Sequence, residues 1–167
     1  MREYLKKLSK ELRHLMYLAK DIASSNNMPV YLVGGCVRDL LLGVKNLDLD
    51  IVVEGDGIMF AEDFANKLKA KIIRHRRFGT ATIFLEPNLK VDIATARKEF
   101  YPKPGSLPEV SNGALKDDLF RRDFTINTMA IDITERNFGR LIDLFDGEDD
   151  LRNKKIRILH NLSFIDD

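Results

Sequence analysis

Tryptophan is absent from this 167-residue chain, and cysteine occurs once, at Cys36. A lone cysteine cannot close an internal disulfide, so the fold must rest on a core. Cys36 itself, just after a glycine turn, reads as a small packing residue. The three histidines, His14, His75 and His160, stand far apart and have no zinc-site spacing. Neither sign of charge dominates: 27 lysines and arginines face 26 aspartates and glutamates, for a net charge of +1. That balance excludes a global electrostatic hold on nucleic acid, so any RNA contact must come from local patches. No apolar run is long enough to cross a membrane, and the N-terminus lacks the apolar core of a signal peptide. A cytoplasmic protein without a membrane partner is expected. What is present is ordinary for a soluble domain, 44% hydrophobic and 32% charged residues. This length suits one domain with a real core.

The most informative stretch runs from Val30 to Val53, VYLVGGCVRDLLLGVKNLDLDIVV. Val30–Val33 is a β-branched and aromatic run that stops at Gly34-Gly35, as a strand stops at backbone-permissive residues. Arg38 and Asp39 follow on a short apolar helix that Gly43 can close. In the strand pattern of Leu47–Ile51, side chains alternate between faces. Leu47, Leu49 and Ile51 then enter a core, while Asp48 and Asp50 share the other face, roughly 7 Å apart at Cα. Aspartate is a poor strand former, and two like charges repel unless a cation sits between them. Mg²⁺ prefers oxygen ligands and shares them with substrate phosphates. The glycine turn lets backbone N–H groups approach a phosphate at a helix start, and Arg38 adds a planar charged fork. Together these features suggest metal-assisted phosphoryl or nucleotidyl transfer. The alternative is a solvated turn after Lys45-Asn46 that carries both aspartates.

Upstream, leucines recur at helical spacing from Arg2 to about Ser25, and Asn27 and Pro29 end that helix. Downstream, Asp56 is placed to cap a helix whose stripe includes Phe60, Ala61, Phe64 and Ala65. Its spaced glycines lack the third member of a dinucleotide fingerprint. Strands are expected from Lys71, over Thr80–Leu85 and over Lys90–Ala94, the last two as a hairpin around Pro87-Asn88. Asp92 points away from Val91 and Ile93. It can be a third carboxylate if its strand neighbours that of Asp50, or a surface aspartate if not. Arg74, His75, Arg76 and Arg77 form a basic cluster, read either as a phosphate contact or as a solvated loop. From Thr95 to Lys116, prolines and glycines exclude a long regular element, and such loops are often functional. Arg122, Asp123 and Asn127 then stand inside an apolar segment. They can pair locally, or hold a nucleotide by its triphosphate and ribose. Further short strands are expected from Met129 and over Ile156–Leu159, with a turn at Asp146-Gly147.

LVGGCVRDLLLG followed by DLD, then RRDFTIN, then LIDLFDGEDDL resemble, in that order, the three head motifs of the class II tRNA nucleotidyltransferase and bacterial poly(A) polymerase family. The resemblance implies an α/β (α+β) polymerase-β-like nucleotidyltransferase fold, a mixed sheet of about five strands flanked by helices. Residues 1–28 would be an N-terminal helix packed on a head domain of residues 29–167. It further implies that Asp48 and Asp50 hold catalytic Mg²⁺ in a two-metal mechanism, with Asp92 as the extra carboxylate. Gly34, Gly35 and Arg38 would bind triphosphate; Arg122 and Asp123 would hold the incoming nucleotide, with Asn127 nearby. The irregular stretch after Ala94 would be the family's flexible loop. The implied reaction is attack by an RNA 3′-hydroxyl on the α-phosphate of ATP or CTP, adding CMP or AMP to tRNA. Poly(A) polymerase action on other RNA ends, or a binding module inactive alone, are the alternatives. Two departures stand out. Thr128 replaces a usual alanine, and Asp146 a usual glycine. Ser163–Asp167 resembles the opening of the next motif, so a base-selecting neck and a tRNA-binding body are expected to belong to the same enzyme but lie outside this chain.

Overall fold

The computed structural model describes residues 5–6, 8–44, 48–85, 89–100 and 109–159. Ser9 accepts a hydrogen bond from the Leu12 amide and opens helix α1, Lys10–Asn26, which ends at Asn27 in a left-handed conformation. Strand β1 (Val30–Val33) leads through Gly34 into helix α2 (Gly35–Leu42), closed by left-handed Gly43. Strand β2 (Leu49–Val53) is followed by helix α3 (Gly57–Leu68), whose first amides bond the Asp56 carboxylate as its position foretold. Strands β3 (Lys71–His75), β4 (Thr80–Leu85) and β5 (Leu89–Thr95) come next. The expected hairpin turn at Pro87-Asn88 lies outside the described residues, although β4 and β5 pair antiparallel on either side of it.

A seven-stranded mixed sheet forms in the order β3-β4-β5-β2-β1-β8-β9, where β8 is Met129–Asp132 and β9 is Arg140–Asp143. About five strands were expected; the sheet has seven, with β3, expected from Lys71, at one edge and the unexpected β9 at the other. The β2–β5 pair is parallel, and the remaining neighbours are antiparallel. Alternation along the central strands sorts the side chains. Leu32, Leu49, Ile51, Val53, Val91 and Ile93 join the large core beneath α1, α2 and α3. Val33, Val52 and Ala130 face the other side, where a smaller core includes Leu115 and Leu119 of helix α4 (Leu115–Phe120). Asp50 and Asp92 lie on that second face, because each alternates with large-core residues.

Two expectations need correction. The stretch expected to be irregular contains a two-stranded ribbon, β6 (Arg97–Phe100) with β7 (Glu109–Asn112), whose tip falls outside the described residues. Pro102, Pro104 and Pro108 lie outside the described residues, between the two paired strands in sequence. The expected strand over Ile156–Leu159 is reduced to one bridge, between Phe124 and Ile158. Ile156 is 75% exposed, while Ile158 and Leu159 are only partly buried. Among the described residues, no helix is long and apolar enough to cross a membrane.

Candidate active site

The parallel β2–β5 register sets Asp50 directly beside Asp92. Adjacent strands lie about 4.8 Å apart, so the two carboxylates are neighbours on the polar face. Asp48 precedes β2 and is exposed, whereas Asp50 is half-buried. Burial pushes the Asp50 carboxyl above the usual carboxylate range; Asp92 and Asp48 push it further, and Arg122 and Lys90 oppose them. Asp92 accepts from Thr82 Oγ1 at 2.5 Å and from Lys90 Nζ at 3.0 Å. Lys90 also reaches Asp48, at 3.8 Å, so one ammonium bridges two of the three acidic residues. Neither Lys90 nor Thr82 stood out in the sequence. Thr82 becomes visible only through register, because it sits opposite Asp92 in the antiparallel β4–β5 pair.

Asp50, Asp92, Thr82, Arg121 and Arg122 line one cleft of about 280 Å³. Arg122 forms part of its wall and presses against Gly34, where any Cβ would strike the guanidinium. Gly34 has φ +68° and ψ −133°, a conformation that side chains resist. Its amide donates to the Met129 carbonyl at 3.1 Å, which pins the turn to β8. Behind the turn, Arg38 Nη1 donates to Asn127 Oδ1 at 2.7 Å and Arg38 Nε to Asp39 Oδ1 at 2.8 Å. Arg38 also folds back over Gly35, whose Cβ position lies 3.5 Å from the guanidinium. Thus Gly34, Gly35, Arg38, Arg122 and Asn127 are gathered, although distant in sequence. Asp123 is exposed at the edge of this group, and its carbonyl accepts from the Leu159 amide at 2.8 Å. In the basic cluster, Arg74 pairs with Glu62 at 2.6 Å, and Arg77 lies over the Phe78 ring.

Residues 30–157 match the poly(A) polymerase head domain family. This chain belongs to that family. Within it, the chain is 55% identical over 140 residues to the A-adding tRNA nucleotidyltransferase of Geobacter sulfurreducens, covering 84% of this chain and 16% of that protein. It is 49% identical over 156 residues to the A-adding enzyme of Halalkalibacterium halodurans, covering 92% of this chain and 36% of that protein. A solved CCA-adding enzyme in its apo form superposes with a TM-score of 0.91 at 47% identity, covering 99% of this chain and 39% of the other. Related structures hold a CCA-ended tRNA (Thermotoga maritima, TM-score 0.86, 47% identity, 99% and 37% covered) and CTP (TM-score 0.86, 46% identity, 99% and 37% covered). This poly(A) polymerase head domain therefore spans between 16% and 39% of the length of these proteins.

The chemistry of the donor set suits Mg²⁺, since Asp48, Asp50 and Asp92 are oxygen donors on one face, with like charges in need of a cation. Among the described residues, no three acidic, histidine or cysteine side chains stand close enough to hold a metal ion. Lys90 holds Asp48 and Asp92 instead.

Proposed function

We propose that this chain is the nucleotidyl-transfer head of an enzyme that adds AMP, CMP or both to the 3′ end of tRNA. The observation that carries the reading is Asp50 set beside Asp92 in a cleft walled by Arg122 against Gly34. A carboxylate pair and a glycine–arginine cradle in one cleft match the two needs of a nucleoside triphosphate, a metal site and a phosphate site. The names of the A-adding relatives, and the CTP and tRNA complexes of related structures, support tRNA 3′ ends as the acceptor.

In this reading Asp48 and Asp50 hold Mg²⁺, beside Asp92. Bound there, the metal ions would lower the pKa of the attacking hydroxyl and neutralise charge on the phosphates. The free amides in the first turn of α2 and the Arg122 guanidinium hold the triphosphate. Arg38 and Asn127 fix the turn that presents them, and exposed Asp123 takes the ribose hydroxyls. Lys90, which bridges Asp48 and Asp92, would share those carboxylates with the metal. The RNA 3′ oxygen bonds to the α-phosphorus, the bond to the β-phosphate oxygen breaks, and pyrophosphate leaves. Positioning and charge neutralisation supply most of the acceleration.

The test is calorimetric titration of this chain with ATP and with CTP, in Mg²⁺ and in EDTA. It is paired with incorporation of labelled nucleotide into a tRNA lacking its terminal residues. Mg²⁺-dependent binding of the nucleotides is the expected result. Binding that ignores Mg²⁺, or no binding, would overturn the assignment of this cleft.

A further inference from the structure

From the cleft wall a chain of ion pairs runs back through residues to which the proposed chemistry gives no role, Arg122 apart. Asp118 of α4 is fully buried and has both oxygens engaged. Its Oδ1 accepts from Arg121 Nη2 at 2.9 Å, and its Oδ2 from Arg122 Nη2 at 3.0 Å. Arg121 continues to Glu99 Oε1 at 3.3 Å, and the same oxygen takes Arg97 Nη2 at 2.6 Å. Glu99 and Arg97 belong to β6, in the ribbon, and Glu99 is only 7% exposed. The ribbon is therefore wired to the cleft wall through two buried carboxylates.

Buried ion pairs are weak sources of net stability, because desolvation offsets attraction. What they supply is geometry. Arg122 shows the effect: Asp118 accepts from its Nη2, Gly34 crowds its Nη1, and its Nε–H is buried without an acceptor among the described residues. A buried donor without a protein partner calls for an explanation, and a guanidinium held in place at its other nitrogens supplies one. Among the described residues, the guanidinium groups of Arg97, Arg121 and Arg122 meet the carboxylates of Glu99 and Asp118, and Arg121 and Arg122 line the cleft.

We propose that Asp118 is a positioning residue that fixes the Arg122 guanidinium for phosphate, and that Glu99, through Arg121, makes that position depend on how the β6–β7 ribbon is seated. The inference rests on the phosphate-binding reading of the cleft only for its consequence, not for its geometry.

The experiment reads the Arg122 Nε–H resonance in ¹H–¹⁵N spectra of the intact chain, assigned with Arg122→Lys, alongside calorimetry with inorganic tripolyphosphate and Mg²⁺. Asp118→Asn should move the resonance to the position of a free arginine and weaken tripolyphosphate at least tenfold, with the backbone amide spectrum still folded. Glu99→Gln should shift the resonance the same way by a smaller amount and weaken binding severalfold. Asp118→Glu should restore part of both. A folded Asp118→Asn protein with the wild-type resonance and affinity overturns the proposal, because a merely structural aspartate would move neither. Should Asp118→Asn fail to fold, an unchanged resonance in Glu99→Gln overturns it instead. If wild type binds no tripolyphosphate, the reading of the cleft fails, and the resonance alone decides the positioning role.

Discussion

Asp50 is held in conflict. It is half-buried, beside one carboxylate in register and another two residues away, and burial raises its proton affinity first of all. An acid whose folded pKa is raised is disfavoured as an anion by the fold. Its contribution to stability is greatest below the unfolded value and falls as pH rises through the folded one. Asp50→Asn should therefore leave the melting temperature at pH 7 unchanged or higher, while nucleotide incorporation falls about 100-fold or more, the scale seen when a charge-stabilising group is lost. A melt and a rate on the same preparation separate a site residue from a structural one. A variant with near-normal rate would remove Asp50 from the site. Gly34→Ala tests the facing wall. Its φ of +68° and the guanidinium at its Cβ position predict a loss of roughly 1–3 kcal/mol in urea unfolding, together with weaker triphosphate binding.

At the scale of elements, the third motif braces the second. Helix α5 (Gly147–Arg152) packs against the short 3₁₀ turn Thr125–Asn127 that carries Asn127, with the Gly147 Cβ position filled by the Thr125 carbonyl. Asp150 is buried and accepts from Thr125 Oγ1 at 2.6 Å and from Arg157 Nε at 2.7 Å. The Thr125 hydrogen bond, and after it Arg157, hold its carboxyl below the usual range. A depressed carboxylate contributes stability above the unfolded pKa, near 3.9, and loses it as pH falls through the folded value. Asp150→Asn should therefore lower the melting temperature at pH 7, and the gap to wild type should close below about pH 4. A gap constant from pH 7 to pH 3 would mean that the charge has no part in it. The elements themselves were largely legible. Helical spacing, glycine stops and strand alternation located β1, α2, α3, β4 and β5, because each pattern is local. Asp146 sits in a left-handed turn with φ 59°, a conformation that favours glycine. What stayed hidden depends on partners. Pro102, Pro104 and Pro108 looked like breakers of a whole segment, yet β6 and β7 pair on either side of them. The adjacency of Asp50 and Asp92 was conditional in the sequence, since only the parallel β2–β5 register supplies it. Asp118 could have been found by its spacing of three and four from Arg121 and Arg122, had a helix been read there.

The molecule as a whole is a sheet with unequal faces. One face carries the large core under α1, α2 and α3; the other carries a small core under α4 and, beside it, the polar cleft. This division follows from strand alternation: the central strands send most of their large apolar residues to one face, while Val33, Val52, Ala130 and the acidic Asp50 and Asp92 fall on the other. It also separates stability from function. Leu15 of α1 and Leu119 of α4 are both buried, at 3% and 0% exposed. Truncation of either to alanine should cost roughly 2–5 kcal/mol, since each leaves a cavity in a packed interior. Their consequences at the site should differ. Leu15 lies in the large core beneath the sheet, whereas Leu119 belongs to the smaller core on the cleft side and neighbours Asp118 on α4. Leu15→Ala should therefore keep triphosphate affinity within about twofold at temperatures well below its melt, while Leu119→Ala, equally destabilised, should lose affinity severalfold. Chemical denaturation beside calorimetry on the two variants makes the comparison. Equal affinities would mean that the cleft is insensitive to the core behind it, and that the two faces of the sheet are not mechanically distinct.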